Sequence, residues 1–226
     1  YRSRLVWNLQ MSAPEVKALL DARAKLVVLD ARRFDEYATM SIPTGISVPG
    51  AELVLNAPSL APDPEATIVV NCAGRTRSII GAQSLINAGL PNKVVALRNG
   101  TMGWSLAGFT CDSGKNRRAP GVSEKTLEWA RQAAQRVASS CGGSVIDRAK
   151  FDVLRADAER TVYLFDVRDP GEYQAGHLPG AISAPGGQLV QATDQYVGTL
   201  GACLVLVDDA EVRALMTASW LRQMGW

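Results

Sequence analysis

The feature that most constrains the fold of this chain is that it repeats itself at a fixed distance. Leu29-Asp30-Ala31-Arg32 stands opposite Phe165-Asp166-Val167-Arg168, an offset of 136 residues (166 − 30 = 136). The same offset relates Glu36-Tyr37 to Glu172-Tyr173, Pro43 to Pro179, Ile46-Ser47 to Ile182-Ser183, and Pro49-Gly50 to Pro185-Gly186. It also relates Arg77 to Arg213, Leu85 to Leu221 and Gly89 to Gly225. An offset held without gaps over such a span marks two copies of one domain.

Each copy alternates between helical and strand patterns. Ser12-Ala13-Pro14-Glu15 has the form of a capping box with proline near the helix start. The apolar run Leu26-Val27-Val28-Leu29 predicts a buried strand, matched by Thr161-Val162-Tyr163-Leu164-Phe165. A loop rich in proline and glycine follows, then a second apolar strand, then a helix. Only the first copy adds a last strand, Lys93-Val94-Val95-Ala96-Leu97, and the turn Asn99-Gly100 before Met102-Gly103-Trp104. This order predicts an α/β fold, each copy a mainly parallel sheet flanked by helices, with sites at the carboxyl ends of strands. By the offset, the second copy's last strand falls after Trp226. That copy is therefore expected to be truncated at its C-terminus and the chain to be part of a longer one.

The expected boundaries are residues 1–110 for the first copy, 111–140 for a linker and connecting helix, and 141–226 for the second copy. Cys111 to Gly121 reads as linker, with Lys115, Arg117 and Arg118 on a solvated face. A helix from about Ser123 to Ser139 follows, with Leu127, Ala130, Ala134 and Val137 as its apolar stripe. The net charge of +2 is too small to imply a nucleic-acid surface, and no apolar run is long enough to cross a bilayer. Tyr1-Arg2-Ser3-Arg4 does not open a secretory signal. The four cysteines, at 72, 111, 141 and 203, lack metal-ligand or redox-pair spacing, and there is one histidine. No metal site is expected, and a reducing, cytoplasmic compartment is.

Cys72 carries the chemistry. It ends the apolar run Ile68-Val69-Val70-Asn71 and opens Cys72-Ala73-Gly74-Arg75-Thr76-Arg77-Ser78, after which Ile79 to Ile86 reads as helix. Strand, tight loop and helix place this thiol at a helix N-terminus, among unpaired N–H groups and two arginines. Such surroundings favour a thiolate and a bound anion. A buried, inert core thiol is the competing reading, but a core cysteine seldom precedes Gly-Arg-Thr-Arg. Opposite Cys72, the second copy has Asp208, in Asp208-Asp209-Ala210-Glu211-Val212-Arg213. That loop has no thiol, and its three acids would repel an anion.

Asp166-Val167-Arg168 with Glu172-Tyr173-Gln174-Ala175-Gly176-His177-Leu178-Pro179-Gly180-Ala181-Ile182 resembles the first signature of the rhodanese family. Cys72 to Ser78 resembles its active-site loop, and Leu97-Arg98-Asn99-Gly100-Thr101-Met102-Gly103-Trp104 its closing signature. The first copy departs at Met40-Ser41-Ile42-Pro43, where the second has Gly176-His177-Leu178-Pro179.

The resemblance implies tandem rhodanese-like domains and a thiosulfate sulfurtransferase. Cys72 would form a persulfide from thiosulfate or another persulfide and pass the sulfur to a thiol or cyanide. The backbone from Ala73 to Ser78 would cradle the donor, and Arg75 and Arg77 would stabilise its charge. No metal or organic cofactor is implied, nor any nucleic-acid or membrane partner. An acceptor protein or further rhodanese domains of a longer chain are compatible partners. The Asp208 copy would be inactive, Asp30-Arg32 and Asp166-Arg168 would brace their loops, and His177 would be structural.

Two alternatives are a non-catalytic rhodanese-like binding or regulatory protein and a phosphatase or arsenate reductase. Those related enzymes use His-Cys-x5-Arg; here Asn71 precedes Cys72, and the spacing to Arg77 is one residue shorter.

Overall fold

The computed structural model describes residues 9–226. It divides into two compact units that meet in sequence at Leu127 and Glu128. In the first unit the order is β1 (Gln10–Met11), α1 (Ala13–Asp21), β2 (Leu26–Asp30), α2 (Phe34–Thr39), β3 (Ile46–Ser47), α3 (Leu53–Leu60), β4 (Thr67–Asn71), α4 (Thr76–Ala88), β5 (Val94–Leu97) and α5 (Gly100–Leu106). The strands form a parallel sheet in the order β1-β5-β4-β2-β3.

Val28, Leu29, Ile68, Val69 and Val70 are all buried. Continuous apolar runs of this kind suit a parallel sheet covered on both faces. Val16, Val28, Ile42, Val69, Val95, Leu97 and Trp104 form one core cluster. β2 and β4 pair in register from Leu26 with Thr67 to Asp30 with Asn71. Two polar residues therefore end side by side at the carboxyl edge, next to Cys72.

Two expectations are corrected here. The proline- and glycine-rich stretch after β3 holds a helix, α3, in which Leu53 to Ala57 are buried and Pro58 lies in the last turn. The turn signals belong to Pro49-Gly50 before it and Pro62-Asp63-Pro64 after it. Lys115 and Arg118 are exposed, as expected, but Arg117 is half-buried and engaged. Arg117 donates to the Gly45 carbonyl at 2.8 Å and to Asp112 at 2.7 Å, and the Arg118 guanidinium lies 3.3 Å from the centre of the Phe34 ring. Asp112 and Ser41 exchange backbone hydrogen bonds, and Ser47 donates to the Arg117 carbonyl. The edge around β3 offers backbone groups that need partners, and residues 112–118 supply them.

The second unit takes most of α6 (Glu124–Ser140), then α7 (Arg148–Ala156), β6 (Val162–Asp166), α8 (Pro170–Ala175), β7 (Ile182–Ser183), α9 (Gly186–Gln191), β8 (Cys203–Val207) and α10 (Arg213–Gln223). Its sheet, among the described residues, has three parallel strands in the order β7-β6-β8. Cys203 is partly exposed on β8.

The repeat becomes visible as paired braces. Arg32 forks onto Asp30 and reaches the Met40 carbonyl at 2.6 Å; Arg168 forks onto Asp166 and reaches the Gly176 carbonyl at 2.6 Å. Tyr37 donates to the Gly45 carbonyl at 2.8 Å, as Tyr173 does to Ala181 at 2.9 Å. Arg77 at the start of α4 holds both oxygens of Glu36 on α2, at 2.6 and 2.8 Å. Arg213 at the start of α10 holds Glu172 on α8, at 2.7 and 3.2 Å.

The hydrogen bonds from Arg77 hold the Glu36 carboxyl below its ordinary value of 4.5, although burial pushes the other way. A carboxyl depressed in the folded state contributes stability above its ordinary value and loses it as pH falls through the lowered value. Glu36→Gln is expected to lower the unfolding free energy in urea titrations at pH 7 by about 1 kcal/mol, as for a partly exposed pair. It should also flatten the loss of stability on acidification below about pH 4.5. Urea titrations of both proteins from pH 7 downward test this; parallel curves refute it.

Candidate active site

The loop between β4 and α4 is short because the strand ends at Asn71 and the helix begins at Thr76. Cys72 is only 2% exposed. Its Sγ donates to Ser78 Oγ at 3.4 Å, and Ser78 Oγ donates to the Arg75 carbonyl at 2.9 Å. The backbone N–H groups of Ala73, Gly74, Thr76, Arg77 and Ser78 have no hydrogen-bond partner among the described residues. Several belong to the first turn of a helix of 13 residues, whose N-terminal end carries positive partial charge. An anion at this loop would meet donors without displacing any existing bond.

The residues singled out in the sequence separate in space. Cys72 and Ser78 touch, while Ala73 and Gly74 form the backbone between the thiol and the helix. Arg75 and Thr76 are exposed at the rim. Arg77 is paired with Glu36 on α2.

Four residues around the loop were given no site role in the sequence reading: Glu36, Asn71, Gly100 and Thr101. Thr101 donates to the Cys72 carbonyl twice, from its N–H at 2.8 Å and its hydroxyl at 3.2 Å. The Met102 N–H donates to the Ala73 carbonyl at 3.0 Å. Asn71 Nδ2 donates to Thr101 Oγ1 at 2.9 Å and to Asp30 at 2.8 Å. Gly100 has φ of +53°, and a Cβ there would stand 2.1 Å from the Cys72 carbonyl oxygen. Only glycine lets α5 approach so closely. Glu36 was discoverable, because it and Glu172 persist at the offset that preserves Arg77 and Arg213.

The matching loop of the second unit is occupied by its own side chains. Asp208 Oδ2 accepts from the Arg213 N–H at 2.9 Å and from Arg213 Nε at 3.4 Å. Asp208 Oδ1 is buried with no partner among the described residues. Burial pushes this carboxyl up, against the pull of the Arg213 charge and of loop N–H groups. Arg213 also binds Asp209, and Arg131 on α6 donates to the Ala210 carbonyl at 3.1 Å. His177 stacks on Tyr173 with ring centres 3.8 Å apart, its Nδ1 2.9 Å from the Tyr173 carbonyl oxygen. Among the described residues, no group of His, Cys, Asp and Glu is placed to hold a metal ion, and no helix is long and apolar enough to cross a membrane.

The chain is 61% identical to the thiosulfate sulfurtransferase of Pseudomonas aeruginosa. That crystal structure superposes with a TM-score of 0.95, covering 96% of this chain and 41% of that one, so the chain spans about two fifths of that relative. The rhodanese-like domain of the Alr3790 protein from Anabaena is 23% identical, with a TM-score of 0.43, over 51% of this chain and 87% of its own. The structure of SseA from Escherichia coli, a 3-mercaptopyruvate sulfotransferase, is 14% identical with a TM-score of 0.37, covering 96% of this chain and 94% of its own. No curated protein matches the chain. The model of the rhodanese-like domain matches twice, at residues 12–107 and 150–226. The chain belongs to the rhodanese family and carries its domain in tandem.

Proposed function

We propose that this chain is a sulfurtransferase that takes sulfane sulfur from thiosulfate, or from a small persulfide, onto Cys72. From there the sulfur passes to a thiol or to cyanide. The observation that carries this reading is the placement of the Cys72 thiol beside a run of unpartnered N–H groups at the start of α4. The 61% identity to a protein named thiosulfate sulfurtransferase supports it.

Attack on sulfur requires the thiolate. Cys72 Sγ⁻ attacks the outer sulfur of thiosulfate; a new S–S bond forms, the S–S bond of thiosulfate breaks, and its electron pair leaves with sulfite. Charge balances, since a thiolate and a dianion become a persulfide anion and sulfite. An attacking cyanide or thiolate then takes the outer sulfur and returns Cys72 as thiolate. The N–H groups of Ala73, Gly74, Thr76, Arg77 and Ser78 stabilise the anionic sulfur in both steps, as donors aimed at developing charge do. Arg75 at the rim attracts the anionic donor. Arg77 contributes chiefly by fixing the start of α4 to Glu36, since Arg213 does the same beside a copy without a thiol.

The Asp208 copy transfers no sulfur in this reading, because its loop donors are engaged by its own carboxylates. The four free cysteines fit a reducing compartment, and the cytoplasm is the location we assign.

Intact-mass analysis after incubation with thiosulfate is expected to show one added sulfur per chain, lost on addition of cyanide and absent from Cys72→Ser. No gain in mass from thiosulfate or from a small persulfide overturns the assignment and favours a binding role. Sulfur added to the Cys72→Ser chain would assign the chemistry to another cysteine.

A further inference from the structure

Resting on that reading, we infer that Asn71 and Thr101 are positioning residues for the sulfur-transfer step, acting through the Cys72 peptide group rather than by touching the sulfur. The geometry is a directed chain. Asp30 accepts from Arg32 at 2.9 and 2.8 Å, and its charge obliges Asn71 to present Nδ2 to it. The same Nδ2 donates to Thr101 Oγ1, whose hydroxyl proton is thereby left for the Cys72 carbonyl. Asp30, Arg32, Asn71 and Thr101 are each no more than 3% exposed, so water does not compete along the chain.

A trans peptide points its C=O and N–H to opposite sides. The Cys72 carbonyl is held toward α5 by two donors from Thr101, which turns the Ala73 N–H away from α5. The Ala73 carbonyl is held by the Met102 N–H, which turns the Gly74 N–H the same way. Both amides are thus aimed by α5 before any donor arrives, and donors fixed in advance are the effective ones.

Comparison of the two copies isolates this chain from ordinary bracing. The Asp–Arg fork, the tyrosine bond and the Arg–Glu pair occur in both units. Asn71 does not: its counterpart beside Asp166 is Val207. The copy that keeps the braces but has lost the thiol has also lost the amide that links the carboxylate to the loop. A residue needed only for folding would have reason to stay in both.

The test compares Thr101→Val, Thr101→Ser and Asn71→Val with the wild type in the full chain, with unfolding midpoints measured alongside. Thr101→Val keeps the backbone donor and the side-chain shape but loses the hydroxyl. Sulfur loading from thiosulfate is expected to slow about tenfold in kcat, with KM within about twofold, and Thr101→Ser to restore it. Asn71→Val, a residue the second unit already accommodates, should show the same split. Alkylation of Cys72 by iodoacetamide, read without any sulfur donor, should slow in parallel. Wild-type rates in folded Thr101→Val and Asn71→Val, or failure of serine to rescue, overturn the inference. A wild type that never loads sulfur, combined with slowed alkylation in Thr101→Val, overturns the sulfurtransferase reading and leaves the positioning role standing.

Discussion

One buried carboxylate organises the carboxyl edge of the first unit. Asp30 is 1% exposed and accepts from the Arg32 backbone, both sides of the Arg32 fork and the Asn71 amide. Removing such a charge from water is costly unless every lone pair is met, and here the partners come from three directions. Meeting that requirement ties the end of β2 to the end of β4, and through Arg32 to the Met40 carbonyl past α2. The same carboxylate thereby settles where the loop after β4 begins. The unpaired amides of that loop are useful only because this edge does not shift.

The two units show which parts of this arrangement are architecture. Both retain the fork at the end of the strand before the first loop, β2 and β6, the tyrosine hydroxyl bonded to a carbonyl, and the guanidinium at the head of the helix after the loop. They differ at the two residues that open the loop, Asn71-Cys72 against Val207-Asp208. In the second, a carboxylate from within the loop takes the backbone donor of Arg213. The fold is indifferent to which anion fills the space, since an internal carboxylate satisfies the helix end as an external one would.

Much of this was legible in the sequence because it rests on period and spacing. The constant offset revealed the repeat, and the continuous apolar runs announced buried parallel strands. The order of strand, Cys72 loop and helix singled out the candidate site. What escaped depends on long-range pairing. Nothing local to Asn71 says that β2 will bring Asp30 beside it, and nothing local to Thr101 says that its hydroxyl will meet a carbonyl 29 residues earlier. Arg77 was read through its neighbours in sequence, so its partner on α2, 41 residues away, was missed although the repeat that keeps both members of the pair pointed to it. Helix α3 was obscured because proline and glycine cluster at both its ends. Arg117 was read as solvent-facing charge, when it is a half-buried strand-edge donor, while Arg118 is exposed as read and also stacks on Phe34.

The near-complete burial of the Cys72 sulfur has a consequence for selectivity. A group that shows 2% of its surface is met end-on by a slender reagent and hardly at all by a bulky one. Cargo stored there would be sheltered from stray oxidants and from the crowd of bystander thiols in a cell. Choice among recipients would then rest on who fits the doorway, more than on who binds tightly outside it.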